Sequence, residues 1–459
     1  MSAERVVILG AGLAGSLLAI YLARRGFSVD VYEGRPDLRT TEIPAGRSIN
    51  LALANRGIRA LTEVGLYKSV RELLITMRGR MLHEAGRAEA FQPYGKNDDE
   101  VIYSVSRGGL NELLLNTAQH QYGVRFHFDQ RVMAANMRSG EVRLRDSDGR
   151  QYVIDQQPLI AADGAGSIVR RQMSKLPGYH AREDYLPHAY KELSIAPTAD
   201  GGHAIDANSL HIWPRGDYML IALPNLDGSF TVTLFLARHG HPGFDTLSTP
   251  AELNQFFKAQ FPDVLELIPD LEDQFFANPV GVMGTVYCAP WRVGGKFLLV
   301  GDAAHSIVPF HGQGMNCAFE DCYELDRCIE SNQYAGPRGW ERVFARFEAN
   351  RKANTDAIAA MALENYVEMR DSVRDPRFHL KKKLAWELER RFPDTFVPRY
   401  SLVMFHHVPY AEAQRRGIIQ QEILEQLLGP SSNLEDVDYD QAEKLIKQRL
   451  APAAETTLS

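Results

Sequence analysis

The first thirty-three residues leave this chain few folds to choose from. Between Arg5 and Arg24 stand eighteen residues without a charge. That length approaches a membrane span, but the pattern inside it is different. Val6-Val7-Ile8-Leu9 is a short apolar run that stops at Gly10, as a buried strand would. Gly10, Gly12 and Gly15 then fit G-x-G-x-x-G, Leu13 to Arg25 supplies a helix, and Gly26 stands where a helix-capping glycine belongs. A second strand, Val29 to Tyr32, ends in Glu33. Gly10 suits the tight turn, Gly12 the approach of a pyrophosphate to the backbone, and Gly15 the close packing of helix on strand. The helix start offers free N–H groups to phosphate, and Glu33 can accept from a ribose hydroxyl. A signal peptide fits worse: Glu4 cancels Arg5, and no small-residue cleavage site follows.

Two later glycine motifs narrow the nucleotide. "AADGAGSIVR" carries Asp163-Gly164, and "FLLVGDAAHSIVPFHGQGMN" (297–316) carries Gly301-Asp302 and then Gly314-Met315-Asn316 at a helix start. A carboxylate at a strand end can hold a ribitol or ribose hydroxyl. Glycines at a helix start bring N–H groups to a flavin carbonyl, where the helix dipole favours negative charge. No second G-x-G-x-x-G follows a strand, and none of the four cysteines forms C-x-x-C. A nicotinamide nucleotide is therefore not expected to have a dinucleotide fold of its own.

Between these motifs the pattern changes. Stretches 190–195, 209–214, 218–224 and 229–236 are strand-like and are separated by the turn sequences "PRGD" and "NLDG", which predicts an antiparallel sheet. "PAELNQFFKAQF" (250–261) is helix-like, 343–369 is a long candidate helix, and the last 25 or so residues are polar and expected at the periphery. The expected architecture is α/β: a discontinuous Rossmann-like FAD domain (1–75, 101–178 and 282–340) interrupted by a substrate-binding antiparallel-sheet domain (76–100 and 179–281). A C-terminal helical region (341–459) follows.

Composition adds mainly exclusions. With 459 residues, 45% of them hydrophobic, core is ample for two or three domains. A net charge of −7 argues against nucleic acid as the main partner. Cys288, Cys317, Cys322 and Cys328 are expected to be free thiols in a reducing cytoplasm. His305 and His311 do not stand at metal-ligand spacing with other ligand types, so no metal is expected.

In their order and separations the three glycine motifs resemble those of the single-component, FAD-dependent aromatic hydroxylases. Within that family, "GRSINLAL" (46–53), "MRGRM" (77–81), "PYG" (93–95), "LHIWPRGDYMLIALPN" (210–225), "FTVTLF" (230–235), "IVPFHGQGMN" (307–316), "ENYVEM" (364–369) and "PRYSLVMF" (398–405) are similar to the branch that hydroxylates L-kynurenine. The resemblance implies non-covalent FAD, NADPH as co-substrate, and O2 activated as a flavin C4a-hydroperoxide. One oxygen would pass to the ring carbon ortho to the amine, giving 3-hydroxykynurenine in tryptophan degradation. For FAD it implies Ala14, Glu33, Arg35, Ala52, Arg107, Val132, Asp302, Met315 and Asn316, beside Gly10, Gly12, Gly15, Asp163 and Gly314 of the glycine motifs. For substrate it implies Arg80, Tyr94, Asn365 and Tyr400 at the amino-acid head, with Phe235, Pro309, Phe310 and His311 as walls and His311 nearest the flavin.

The chemistry suits these types. Arg80 offers a planar fork to a carboxylate, and the two phenols add donors. An aniline ring is already electron-rich, so no strict acid–base residue is named; Arg80 and Tyr400 are positioning groups. The resemblance also implies a cytoplasmic protein without membrane or nucleic-acid partners, as a monomer or homodimer. Two other readings stay open: a hydroxylase of another aromatic substrate, and a flavin-binding electron-transfer protein.

Overall fold

The computed structural model describes residues 4–40, 50–95, 97–331, 336–371, 376–429 and 433–452. Residues 46–49, the start of "GRSINLAL", lie outside that set. Arg5–Leu9 is a strand flanked in parallel by Ser28–Tyr32 and Leu159–Ala161. Phe297–Leu299 and Arg125–His127 extend the parallel array, and Arg292–Val293 adds an antiparallel edge. Val6, Val7, Ile8 and Leu9 are fully buried, and so are Leu17, Leu18 and Ile20 on the helix Leu13–Arg24. A strand covered on both faces reads as a continuous apolar run, and each such side chain contributes about 1.5–3 kcal/mol by leaving water. The opening run is thus strand and helix of a core.

Two of its glycines are required by contact. A Cβ on Gly15 would lie 2.0 Å from the Gly10 carbonyl oxygen. One on Gly10 would lie 2.4 Å from the Ala162 oxygen, and Gly10 also has φ of +102°. The parallel strands share one direction, so Gly10, Glu33, Asp163 and Asp302 gather beyond their carboxyl ends. Open α/β sheets bind ligands there.

The second sheet has seven strands in the order Gly281–Ala289, His180–Ile195, Phe230–Ala237, Met219–Pro224, Ser209–Pro214, Gly79–Leu82 and Ala90–Pro93. Its pairings are antiparallel except one: Gly79–Leu82 joins Ser209–Pro214 in parallel, with Arg80 beside Leu210. The strands alternate. Trp213, Leu220, Val232 and Leu234 pack against the three helices between Pro250 and Ala277. Ile212, Ile221, Thr233 and Phe235 face a cavity.

Gly336–Asp371 is a single helix of 36 residues, as the long apolar–polar pattern predicts. Among the described residues, the C-terminal end as far as Leu450 is not peripheral. Val437, Ala442, Ile446 and Leu450 are buried against Leu384, Leu388, Ile423 and Leu427. Spacing by four makes a narrow apolar stripe that a polar average composition conceals. Among the described residues no helix is long and apolar enough to cross a membrane.

Candidate active site

One cavity of about 790 Å³ runs from the carboxyl edge of the parallel sheet to the inner face of the seven-stranded sheet. Its first end is made of strand ends. Glu33 Oε2 accepts from the Ala11 N–H at 2.8 Å, and Oε1 accepts from the Arg35 N–H and Nε at 2.9 and 2.8 Å. Burial opposes the charge, yet Arg35 and these N–H groups hold the carboxyl below its ordinary range. Gly12 caps the helix Leu13–Arg24 without a side-chain bond, leaving first-turn N–H groups for an anion. Asp163 Oδ2 accepts from the Ile168 N–H at 2.9 Å, while Oδ1 is buried without a partner, and burial pushes its carboxyl up. Asn111 Oδ1 is likewise buried and unpartnered. The groove is long, has phosphate-ready and hydroxyl-ready ends, and leaves acceptors unsatisfied. Its residues fit FAD.

Of the positions expected at FAD, Gly10, Gly12, Ala14, Glu33, Arg35 and Ala52 line this cavity, as do Arg107, Val132, Asp163, Asp302, Gly314 and Met315. Gly15 does not; it is the helix-to-strand contact described above. Asn316 does not line it either. Its Oδ1 accepts from the Ala54 N–H at 2.9 Å, and its Nδ2 donates to the Ala52 and Gly312 oxygens at 2.8 and 2.9 Å. The side chain ties two lining loops together from behind.

The other end is aromatic. The Arg80 guanidinium lies 5.6 Å from the Tyr94 ring centroid and 5.0 Å from that of Tyr400. His311 stacks on Tyr400 at 5.6 Å, and Phe235 meets Phe310 at 5.1 Å. All six, and Pro309, line the cavity. Arg80 Nε, Tyr94 Oη and His311 Nδ1 are buried with no hydrogen-bond partner. Such groups are costly to leave unsatisfied and point to a polar ligand. Burial works against the Arg80 charge, but Tyr400, Tyr94 and Glu368 raise its pKa. Burial drives the His311 imidazole down to about 4, so it is neutral near pH 7.

Asn365 is the substrate position that the structure does not bring to the wall. Its Nδ2 donates to the Phe310 carbonyl at 2.5 Å, which supports a wall residue from outside. Other lining residues escaped the sequence reading: Asn111, Arg131, Tyr190, Thr231 and Thr233. Beside them, Glu192 stands opposite Thr233 on the sheet face that carries Tyr190 and Phe235. Burial pushes its carboxyl up to about 7, against the pull of Arg107. A charge on the inward phase of an alternating strand was the available signal.

His305 needs a correction, because it does stand near other ligand types. Its ring nitrogen, Cys317 Sγ and an Asp321 oxygen lie within 4.8 Å of one another. Arg351 already occupies that space: Nε is 2.7 Å from Asp321 Oδ1, Nη1 is 2.6 Å from Glu320 Oε2, and Nη2 is 3.4 Å from Cys317 Sγ. Despite burial, Asp321 raises the His305 pKa well above its ordinary value. An imidazolium beside a guanidinium repels a metal ion. The cluster is an ion-pair network, and Asp321 Oδ2 also accepts from the Gly301 N–H at 3.0 Å, fixing the turn before Asp302.

The family profile described as "FAD binding domain" matches residues 4–353. The kynurenine 3-monooxygenase of Myxococcus xanthus (strain DK1622) is 48% identical over 450 residues, covering 98% of this chain and 96% of its own. That of Stenotrophomonas maltophilia (strain K279a) is 46% identical over 445 residues, covering 96% of each. Among solved structures, the tetrameric form of 2-methyl-3-hydroxypyridine-5-carboxylic acid oxygenase superposes with a TM-score of 0.65 at 20% identity. It covers 82% of this chain and 95% of that one, and the likeness shows a shared fold.

Proposed function

The chain belongs to the kynurenine 3-monooxygenase family of FAD-dependent enzymes, and on that premise we propose how its cavity carries out the reaction. It is an FAD-dependent aromatic monooxygenase: L-kynurenine, NADPH, a proton and O2 give 3-hydroxykynurenine, NADP+ and water. FAD, when bound, supplies the two-electron chemistry that links NADPH oxidation to transfer of one oxygen atom to the ring.

The chain's own residues bind, orient and exclude water. Gly10, Gly12, Glu33, Arg35, Asp163 and Asp302 hold the cofactor, and Gly314 and Met315 set the helix start that faces it. Arg80 takes the substrate carboxylate in two-point fashion. Tyr94 and Tyr400 flank that head, and Phe235 and Phe310, packed against each other, give the aniline ring an apolar wall. Neutral His311 offers a ring nitrogen without placing a positive charge against the bound flavin. Closely fitting aromatic walls keep water from the reacting oxygen. No group is assigned as acid or base; orientation is the protein's main contribution at this end.

The observation that carries the reading is the set of three buried, unpartnered polar atoms, Arg80 Nε, Tyr94 Oη and His311 Nδ1, around one aromatic slot. The test is NADPH consumption by the FAD-loaded protein with a panel of aromatic substrates, each product identified by mass. Kynurenine gaining one oxygen, in proportion to NADPH used, is the expected result. NADPH oxidation that kynurenine does not stimulate, or another aromatic being oxygenated in its place, would reject the assignment.

A further inference from the structure

Arg80 is not alone at its end of the cavity. On the sheet it stands directly across from Gln92 of the next strand. Lys382, on the C-terminal helix Pro376–Arg391, reaches over this pair and donates from Nζ to Gln92 Oε1 at 3.3 Å. The same Nζ lies 5.5 Å from the centroid of Trp386, one turn along its helix. Lys382 does not line the cavity itself. The fold therefore sets a second cation behind the first.

This arrangement is unfavourable in an empty site. Burial and the Arg80 charge both lower the Lys382 pKa, and Glu368 opposes them. Glu368 also acts on Arg80, and among the described residues neither cation has an ion-pair partner. A ligand anion at Arg80 relieves both at once. We propose that Lys382 is a positioning and specificity-determining residue: it strengthens selection for a substrate bearing a carboxylate by holding a second positive charge behind Arg80. The proposal rests on the reading of Arg80 as the carboxylate anchor.

The sign of its pH dependence follows. Protonated Lys382 favours the bound carboxylate, and binding raises the Lys382 pKa in return. Affinity is therefore full below the lowered pKa and falls as pH rises through it. The groups facing Lys382 are Arg80 and Gln92 from the two strands, Glu368 from the long helix and Trp386 from its own helix. The α-amine of kynurenine also titrates at alkaline pH. Lys382→Arg keeps its charge throughout, so it reports the ligand's share alone.

The experiment titrates FAD-loaded enzyme with L-kynurenine, followed by flavin absorbance, from about pH 7 to about pH 10. Wild-type affinity should fall more steeply than that of Lys382→Arg. Lys382→Met should bind about two- to fivefold more weakly at the lower pH and show only the ligand's slope. Decarboxylated kynurenine should bind all three alike. FAD content and melting temperature check folding, with Lys382→Gln as the substitute if the methionine variant does not fold. Unchanged affinity in Lys382→Met, with the wild-type slope, overturns the proposal. Arg80→Ala in the same titration separates the causes: if it alone binds weakly, only the Lys382 role fails; if it binds normally, the anchor fails and the Lys382 role with it.

Discussion

At the cofactor end of the cavity the walls are strand ends and the turns that follow them, so Gly10, Glu33, Asp163 and Asp302 are brought together by one parallel sheet. At the substrate end Arg80, Tyr94, His311 and Tyr400 come from a strand, the bend that follows the next strand, a short turn and a C-terminal helix, over 300 residues apart at the extremes. The first end is local geometry repeated: strand, glycine turn, helix. The second exists only after distant segments have packed. Damage at the first end should therefore abolish cofactor binding, and damage at the second should change what the cofactor acts on.

The largest expected effect breaks that separation. Arg351 lies under both ends, because Asp321 fixes the Gly301 turn while Glu320 pairs with Arg56, whose Nε donates to the Val403 carbonyl near Tyr400. Arg351→Met leaves two buried carboxylates short of a cation. Breaking a buried pair from one side costs about 3–5 kcal/mol. Chemical denaturation should show that loss, together with weaker FAD and weaker kynurenine binding. A loss confined to one end would make the ends more independent than this network allows.

Next in size is Gly10→Ala. A methyl group would sit 2.4 Å from the Ala162 oxygen, at a φ of +102°. Overpacking of this kind costs about 1–3 kcal/mol, and the turn must also shift. FAD measured after desalting should fall to a small fraction of wild type, while the seven-stranded sheet stays folded by circular dichroism. Full FAD retention would refute the close-contact argument.

The smallest effect concerns Glu192. Its carboxyl is raised from 4.5 to about 7 in the folded chain. Below the unfolded value both states are protonated and there is no difference. Between the two values only the unfolded state ionises, so stability declines, and above about 7 the loss is constant. Discounted for screening by solvent, the penalty is about 1 kcal/mol. Glu192→Gln should match wild type in acid and melt about 2–4 °C higher near pH 8. Equal melting temperatures at both pH values would show that the carboxyl titrates normally.

The same contrast explains what could be read from sequence. The glycine motifs were legible because turn, cap and strand end are set within a few residues. Arg80, Tyr94 and Tyr400 were nameable only through family resemblance; alone, each resembles a surface arginine or a packing tyrosine. Asn365 and Asn316 show the limit. Both stand in stretches that match the family, but the direction of a side chain on a long helix is decided by what packs there. Asn365 turns to the Phe310 carbonyl and Asn316 to the Ala52 loop. The Arg56–Glu320–Arg351–Asp321 network was missed because its members look like ordinary surface charges until three helices bury them.

The central claim is that Arg80 anchors the substrate carboxylate while the cofactor end stands apart from it. The most direct measurement is the dissociation constant of L-kynurenine, and of its decarboxylated analogue, for FAD-loaded wild type and Arg80→Ala. A charge-assisted hydrogen bond is worth about 1.5–3 kcal/mol, or roughly ten- to more than a hundredfold in affinity. Kynurenine should weaken by that factor in Arg80→Ala, FAD content should not change, and the analogue should bind both proteins alike. Equal kynurenine affinity in the two proteins, with FAD bound normally, would contradict the account and place the carboxylate elsewhere.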